Sequence, residues 1–216
     1  MLFDDALRET IRSRLSTFER RVPEGTEKLK RAAVAICVAA REDPADTWGS
    51  PDDAAFLLTR RAPKLRAHGG QLALPGGRVD PGETIEQTAL RELDEELGVS
   101  LGSDAVLGHL DPYPTRSGYL IAPIVVWTPR GTVVTPNPAE VDWLFRIPLS
   151  ELRRPDSPEI FNIPESDRPV IRLPIPLMNT QINAPTAAML YQFREVALED
   201  RATRVDHFDQ PVFAWR

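Results

Sequence analysis

The sequence predicts an α/β (α+β) fold, on three observations. Two apolar runs, RAAVAICVAA at 31–40 and AAFLLTR at 54–60, have the length and composition of buried strands. Segments with apolar residues at helical spacing lie at the start, middle and end of the chain. At 216 residues and 42% hydrophobic content, with no composition shift and no internal repeat, the chain suits one domain with a sizeable core. The expected organisation is a single domain over 1–216, with a helical extension at 1–29 and a C-terminal elaboration over 155–216 that carries the last helix.

Residues 3–21 place Phe3, Leu7, Ile11, Leu15 and Phe18 at helical spacing, with Asp4 and Asp5 in the first turn, where negative charge is favoured. Such a helix packs on the core or against a second copy, so a homodimer is an expected option. The loop from 42 to 53 separates the two strands and predicts a hairpin. Next comes a basic stretch holding Arg60, Arg61, Lys64, Arg66 and His68, either solvated or an anion site. Pro75-Gly76-Gly77 permits a sharp turn and close backbone approach to a ligand. Thr84 and Gln87 have capping-box spacing, so a helix should start near Thr84 and stop at Gly98. Strands are predicted at 104–111, 119–127 and 141–147, and a short helix at 148–153. The proline-rich stretch 155–176 reads as a hairpin over the site, 184–200 as a helix, and Phe208 to Trp215 as a terminal strand packing back.

Composition narrows the function classes. The net charge of −6 argues against a protein whose main partner is nucleic acid. The one cysteine, Cys37, excludes an internal disulfide and a cysteine-based metal site. The N-terminus lacks a basic region and a long apolar core, and the apolar run 32–40 is too short to span a bilayer. A soluble cytoplasmic protein without membrane association is the expectation.

The chemistry concentrates in Gly77 to Val99, GRVDPGETIEQTALRELDEELGV. Glu92, Glu95 and Glu96 stand at i, i+3 and i+4, neighbours on one helix surface, where like charges repel. A hard divalent cation with oxygen ligands, Mg²⁺ above all, would relieve that repulsion and favours phosphate substrates.

This stretch resembles the Nudix box, G-x5-E-x7-R-E-U-x-E-E-x-G-U with U aliphatic. Gly77, Glu83, Arg91, Glu92, Leu93, Glu95, Glu96, Gly98 and Val99 fill every fixed position. The resemblance, which extends from about 30 to 199, implies the Nudix fold, a mixed β-sheet sandwiched between helices. It also implies hydrolysis of a nucleoside diphosphate derivative with Mg²⁺ or Mn²⁺. By position, Glu92 and Glu96 would be metal ligands, with Glu95 a ligand or base and the Gly76 carbonyl a further ligand. Arg91 would hold a carboxylate in place, and Glu83 would act through a water or a neighbouring group. Glu140, a loop acid ahead of a strand, would be a further ligand or the general base. Upstream, Leu57, Leu58, Thr59, Arg61, Ala62, Arg66, Gly70, Pro75, Gly76 and Gly77 resemble the motif LLTxR-[SA]-x3-R-x3-G-x3-FPGG of the coenzyme A pyrophosphatase group. Tyr113, Ser117, Gly118 and Pro123 look like its downstream segment. The implied reaction yields adenosine 3',5'-bisphosphate and 4'-phosphopantetheine, with Arg61, Arg66 and Gly77 contacting substrate. Leu74 replaces the motif's Phe, and Ile182-Asn183-Ala184-Pro185 stands where that group often has Trp-Gly. ADP-ribose, NADH or a dinucleoside polyphosphate are alternative substrates, and a non-catalytic ligand-sensing module is the alternative class.

Overall fold

A computed structural model describes residues 1–42, 49–64 and 69–212. Its elements, in order, are α1 (Asp5–Thr17), β1 (Lys30–Ala40), β2 (Ala54–Arg61), β3 (Leu72–Ala73), β4 (Gly76–Arg78), α2 (Ile85–Leu97), β5 (Val106–His109), β6 (Tyr113–Pro114), β7 (Tyr119–Trp127), β8 (Val141–Pro148), α3 (Leu149–Leu152), β9 (Glu159–Ile163), β10 (Ser166–Ile175), β11 (Thr180–Asn183) and α4 (Thr186–Phe193).

The main sheet is mixed, as expected. Its path runs β3-β2-β1-β7-β5, with β4 on β1, β6 on β7 and β8 on β2. Strand β1 pairs parallel with β7, Lys30 opposite Tyr119 and Ala32 opposite Ile121. It pairs antiparallel with β2 at one end and with β4 at the other.

Alternation along β1 sorts the two faces. Ala33, Ala35, Cys37 and Ala39 face α2 and join Ile85, Ala89, Leu93 and Leu97 in one core. Ile36 and Val38 face the other way, toward Ile11 and Leu15 of α1 and Leu190 and Phe193 of α4. The small residues on the first face let α2 lie close against the sheet. Burial of Leu93 and Leu97, both fully enclosed, contributes about 2 kcal/mol each.

Helix α2 begins and ends where the sequence predicts. Thr84 caps it through a complete capping box with Gln87, and Gly98 stops it in the left-handed conformation, at φ 64°.

Other boundaries differ. Helix α1 stops at Thr17 rather than near 21, because Phe18 turns extended and the Arg21 amide donates to Asp111 Oδ1 at 2.6 Å. The strand expected at 104–111 covers only 106–109, since a 3₁₀ turn occupies Ser103–Ala105. The turn at 112–118 contains β6, which folds back on β7. The 155–176 hairpin exists as β9 and β10, and β11 extends it to a separate three-stranded sheet. The last helix is α-helical only to Phe193 and then widens into a π-helical turn over Arg194–Leu198. In place of a terminal strand, Asp209 makes an isolated bridge to Val170 and Phe208 is buried; Phe213 and Trp215 lie outside the described residues. No helix among the described residues is long and apolar enough to cross a membrane.

Candidate active site

Strand β4 and helix α2 build the site together. Gly76 pairs with Val34 and Gly77 with Ala33, so the glycine pair is fixed on β1 just where α2 packs. A Cβ at Gly76 would stand 2.4 Å from the Ala33 carbonyl oxygen and 2.7 Å from Val34 Cα. A Cβ at Gly77 would stand 2.2 Å from Glu92 Oε1. Both glycines are demanded by close approach, the first to backbone and the second to a carboxylate.

Arg91 organises the helix's acids. Its guanidinium donates to Glu83 at 2.8 and 3.2 Å, to Glu92 Oε1 at 2.8 Å, to Glu95 Oε2 at 2.9 Å and to the Arg78 carbonyl at 3.2 Å. Glu83 also accepts from Thr88 Oγ1 at 2.8 Å. The hydrogen bonds from Arg91 and Thr88 hold the Glu83 carboxyl down at about 2. The same carboxylates, led by Glu83, push the Arg91 guanidinium up against the opposing effect of burial. Thr88 carries no sequence signal beyond its place one turn ahead of Glu92.

Glu96 is the buried member, its side chain 3% exposed, with Arg61 Nη1 at 3.4 Å from Oε1. Burial lifts its carboxyl to about 8; Arg61 and a hydrogen bond from the Gly76 backbone oppose that rise, while Glu92 and Glu140 add to it. Glu92 is raised too, by burial first, with Arg91 opposing and Glu95 and Glu140 reinforcing. Glu95 is half exposed. Glu140 is held by its backbone, its N–H donating to the Asn137 carbonyl and its own carbonyl accepting from Ala62.

Five carboxylates therefore gather around two guanidinium groups. Among the described residues no three of them stand in a ready metal-holding cluster; Arg91 engages one oxygen each of Glu92 and Glu95, and Arg61 one of Glu96. The donor set still fits a hard cation. It is all oxygen, it carries excess negative charge, and its two most buried members have raised pKa values.

On the opposite face of the sheet lies a cavity of about 510 Å³ whose lining includes Arg61, Gly76, Gly77, Arg78 and Tyr119. Strand β11 and the start of α4 close it, with Asn183, Ala184, Pro185 and Met189 on its wall. Of the residues singled out by sequence, the structure brings Gly76, Gly77, Arg61, Arg91, Glu92, Glu95 and Glu96 together, with Glu140 near enough to raise Glu92 and Glu96. Arg66 and His68 lie outside the described residues. Ser117 lines the cavity, whereas Tyr113 is buried and donates to the Phe208 carbonyl at 2.9 Å.

The profile of the NUDIX domain matches residues 30–172 of this chain. An uncharacterised Nudix hydrolase, NudL of Photorhabdus laumondii, is 38% identical over 142 residues, covering 63% of this chain and 71% of that protein. NudL of Yersinia pestis is 42% identical over 123 residues; the match spans 56% of this chain and little more than half, 57%, of the relative. Among solved structures, the MutT protein of Methanosarcina mazei Go1 is 20% identical over 64% of this chain and 86% of its own, with a TM-score of 0.43. A C. elegans Ap4A hydrolase is 19% identical over 58% and 85%, with a TM-score of 0.42.

Proposed function

This chain belongs to the Nudix family, and from that premise we propose that it hydrolyses the diphosphate of coenzyme A or an acyl-coenzyme A, using Mg²⁺ or Mn²⁺. Water adds across the P–O–P bridge and leaves adenosine 3',5'-bisphosphate and the 4'-phosphopantetheine product. The observation that carries the substrate is the segment from Leu57 to Gly77, which matches the coenzyme A pyrophosphatase motif except at Leu74. Its Arg61 both lines the cavity and reaches Glu96.

Glu92, Glu96, Glu95 and the Gly76 carbonyl are the groups that would hold the cation. When bound, a divalent cation neutralises the diphosphate oxygens and aligns attack with departure. Arg61 and Arg66 hold phosphate oxygens through their guanidinium forks. Arg91 fixes Glu92 in position, and Glu83 fixes Arg91. A carboxylate accepts the proton of the attacking water. The geometry favours Glu140 for that step: the Glu95 carboxylate is engaged by Arg91, whereas Glu140 makes its hydrogen bonds through its backbone.

A second substrate, such as ADP-ribose or a dinucleoside polyphosphate, is favoured by one observation. Ala184 and Pro185, which depart from the coenzyme A group's pattern, form part of the cavity wall. A product assay with Mg²⁺ against coenzyme A, acetyl-coenzyme A, ADP-ribose, NADH and diadenosine polyphosphates decides between them. Release of adenosine 3',5'-bisphosphate from coenzyme A, lost in Glu96→Gln and on chelation, is the expected result. Cleavage of ADP-ribose without cleavage of coenzyme A would overturn the assignment, and a fully active Glu96→Gln would overturn the mechanism.

A further inference from the structure

We propose that Arg78 and Lys30, gathered around the ring of Tyr119, form a second anion subsite that binds a phosphomonoester on the nucleoside end of the substrate. The inference rests on the reading above only in taking the substrate to be a nucleotide.

Three strands bring these residues together. Lys30 and Tyr119 are register partners on β1 and β7, and Arg78 is the partner of Ala32, two residues along β1. Alternation puts Lys30, Ala32 and Val34 on one face of β1, the face turned away from α2. Ala32, Val34, Arg78, Tyr119 and Ile121 accordingly share the cavity lining. Strand β4 thus points its residues two ways. Gly77 meets Glu92 on the helix side, and Arg78 meets Tyr119 on the cavity side.

The Arg78 guanidinium carbon lies 5.3 Å from the centre of the Tyr119 ring, and the Lys30 ammonium 5.9 Å. Both side chains are exposed, and among the described residues neither has a carboxylate partner. Arg61, the other cation of the cavity lining, is by contrast paired with Glu96. The quadrupole of the ring holds both cations within about 6 Å of its centre without neutralising either. Meanwhile the Arg78 backbone is fixed by Arg91, which donates to its carbonyl. The result is a pair of unneutralised cations around a ring that lines the cavity, whose lining also includes Arg61, Gly76 and Gly77. A phosphomonoester, largely a dianion above pH about 6, matches that pair in charge and in hydrogen-bonding capacity. A nucleotide with only its diphosphate leaves the pair unused.

The test compares coenzyme A with 3'-dephospho-coenzyme A, which differ by this one phosphate. Wild type should prefer coenzyme A in kcat/KM by about tenfold, as expected for charge-assisted hydrogen bonds to one phosphate. The preference should shrink with rising salt. In the double variant Lys30→Ala, Arg78→Ala the ratio should fall to about one, and Arg78→Lys should keep part of it. Equal kcat/KM values in wild type, or a preference unchanged in the double variant, would overturn the subsite. If neither compound is cleaved, the substrate reading fails, and calorimetry judges the subsite alone. Adenosine 3',5'-bisphosphate should then bind wild type more tightly than AMP, and the double variant should bind the two alike. Equal binding of the two by wild type would refute the proposal.

Discussion

Gly77→Ala separates what the glycine does for the fold from what it does for the chemistry. The position has no left-handed backbone, so alanine brings no conformational strain there. Its added methyl carbon would stand 2.2 Å from Glu92 Oε1 and 2.5 Å from Glu92 Cδ, where ordinary contact begins at 3.4 Å. The carboxylate must therefore retreat by about 1.2 Å, and it can, because it is the end of a flexible side chain. Stability should change by no more than about 1 kcal/mol. Activity should not survive so well, since a displacement of about 1 Å in a catalytic group costs on the order of 10²-fold, about 2.7 kcal/mol of barrier. The assay is steady-state hydrolysis at saturating Mg²⁺ alongside thermal melting of the same sample. Gly76→Ala is the internal contrast: its methyl would meet the Ala33 carbonyl and Val34 Cα, which belong to the sheet backbone and cannot yield, so that variant should fail to fold. A Gly77→Ala protein with kcat within about threefold of wild type would refute the reasoning, because the retreat of Glu92 would then be harmless.

Two further outcomes follow from the same contacts. Arg91→Lys should lower kcat by about 10- to 100-fold and weaken Mg²⁺ binding, measured by titration of activity against metal, because an ammonium cannot replace a fork that serves Glu83, Glu92 and Glu95 together. Asp209, whose carboxylate accepts from Arg116, Ser166 and the Gln210 amide, ties the C-terminal tail to β10; Asp209→Asn should cost about 1–3 kcal/mol in urea unfolding at pH 7. Burial alone would raise the Asp209 carboxyl, but the bonds from Arg116 and Ser166 hold it at about 2, below its ordinary 3.8. A depressed carboxyl stabilises the fold above its unfolded value, so the wild-type advantage over Asp209→Asn should be complete above pH about 4 and vanish as the pH falls to about 2. An advantage that persists unchanged at pH 2 would contradict this account.

The parts legible in the sequence are those specified locally. Thr84, Gln87 and Gly98 fix both ends of α2 through contacts within a few residues, and its apolar stripe is read from spacing alone. The acids at 92, 95 and 96 share a surface for the same reason. What escaped the sequence depends on distant partners. Helix α1 stops early because Asp111, some ninety residues away, captures the Arg21 amide. Strand β10 forms although it carries Pro169 and Pro174, residues that argue against a strand. In the structure Pro169 sits at the irregularity between Ser166 and Val170, and its carbonyl accepts from Asp209. The Arg61–Glu96 pair spans 35 positions and no local pattern announces it. The meeting of Lys30, Arg78 and Tyr119 needs the parallel register of β1 with β7, a long-range choice that spacing along one strand cannot express.

The tripeptide Gly76-Gly77-Arg78 couples the two faces of the sheet. Two glycines in an edge-length strand weaken it, since they lose more conformational freedom on folding and pack no side chain. The strand forms because β1 pairs with all three residues and because Arg91 binds the Arg78 carbonyl from the helix side. Holding β4 and holding the carboxylates are thus one task for Arg91. A substitution that loosens its grip on Glu92 also frees the backbone that aims Arg78 into the cavity. Loss of Arg91 should therefore disturb metal binding and substrate preference together, whereas loss of the Arg78 side chain, with its carbonyl still in place, should disturb preference alone. That asymmetry follows from the pleat, which gives neighbouring residues opposite faces while fixing them to one backbone.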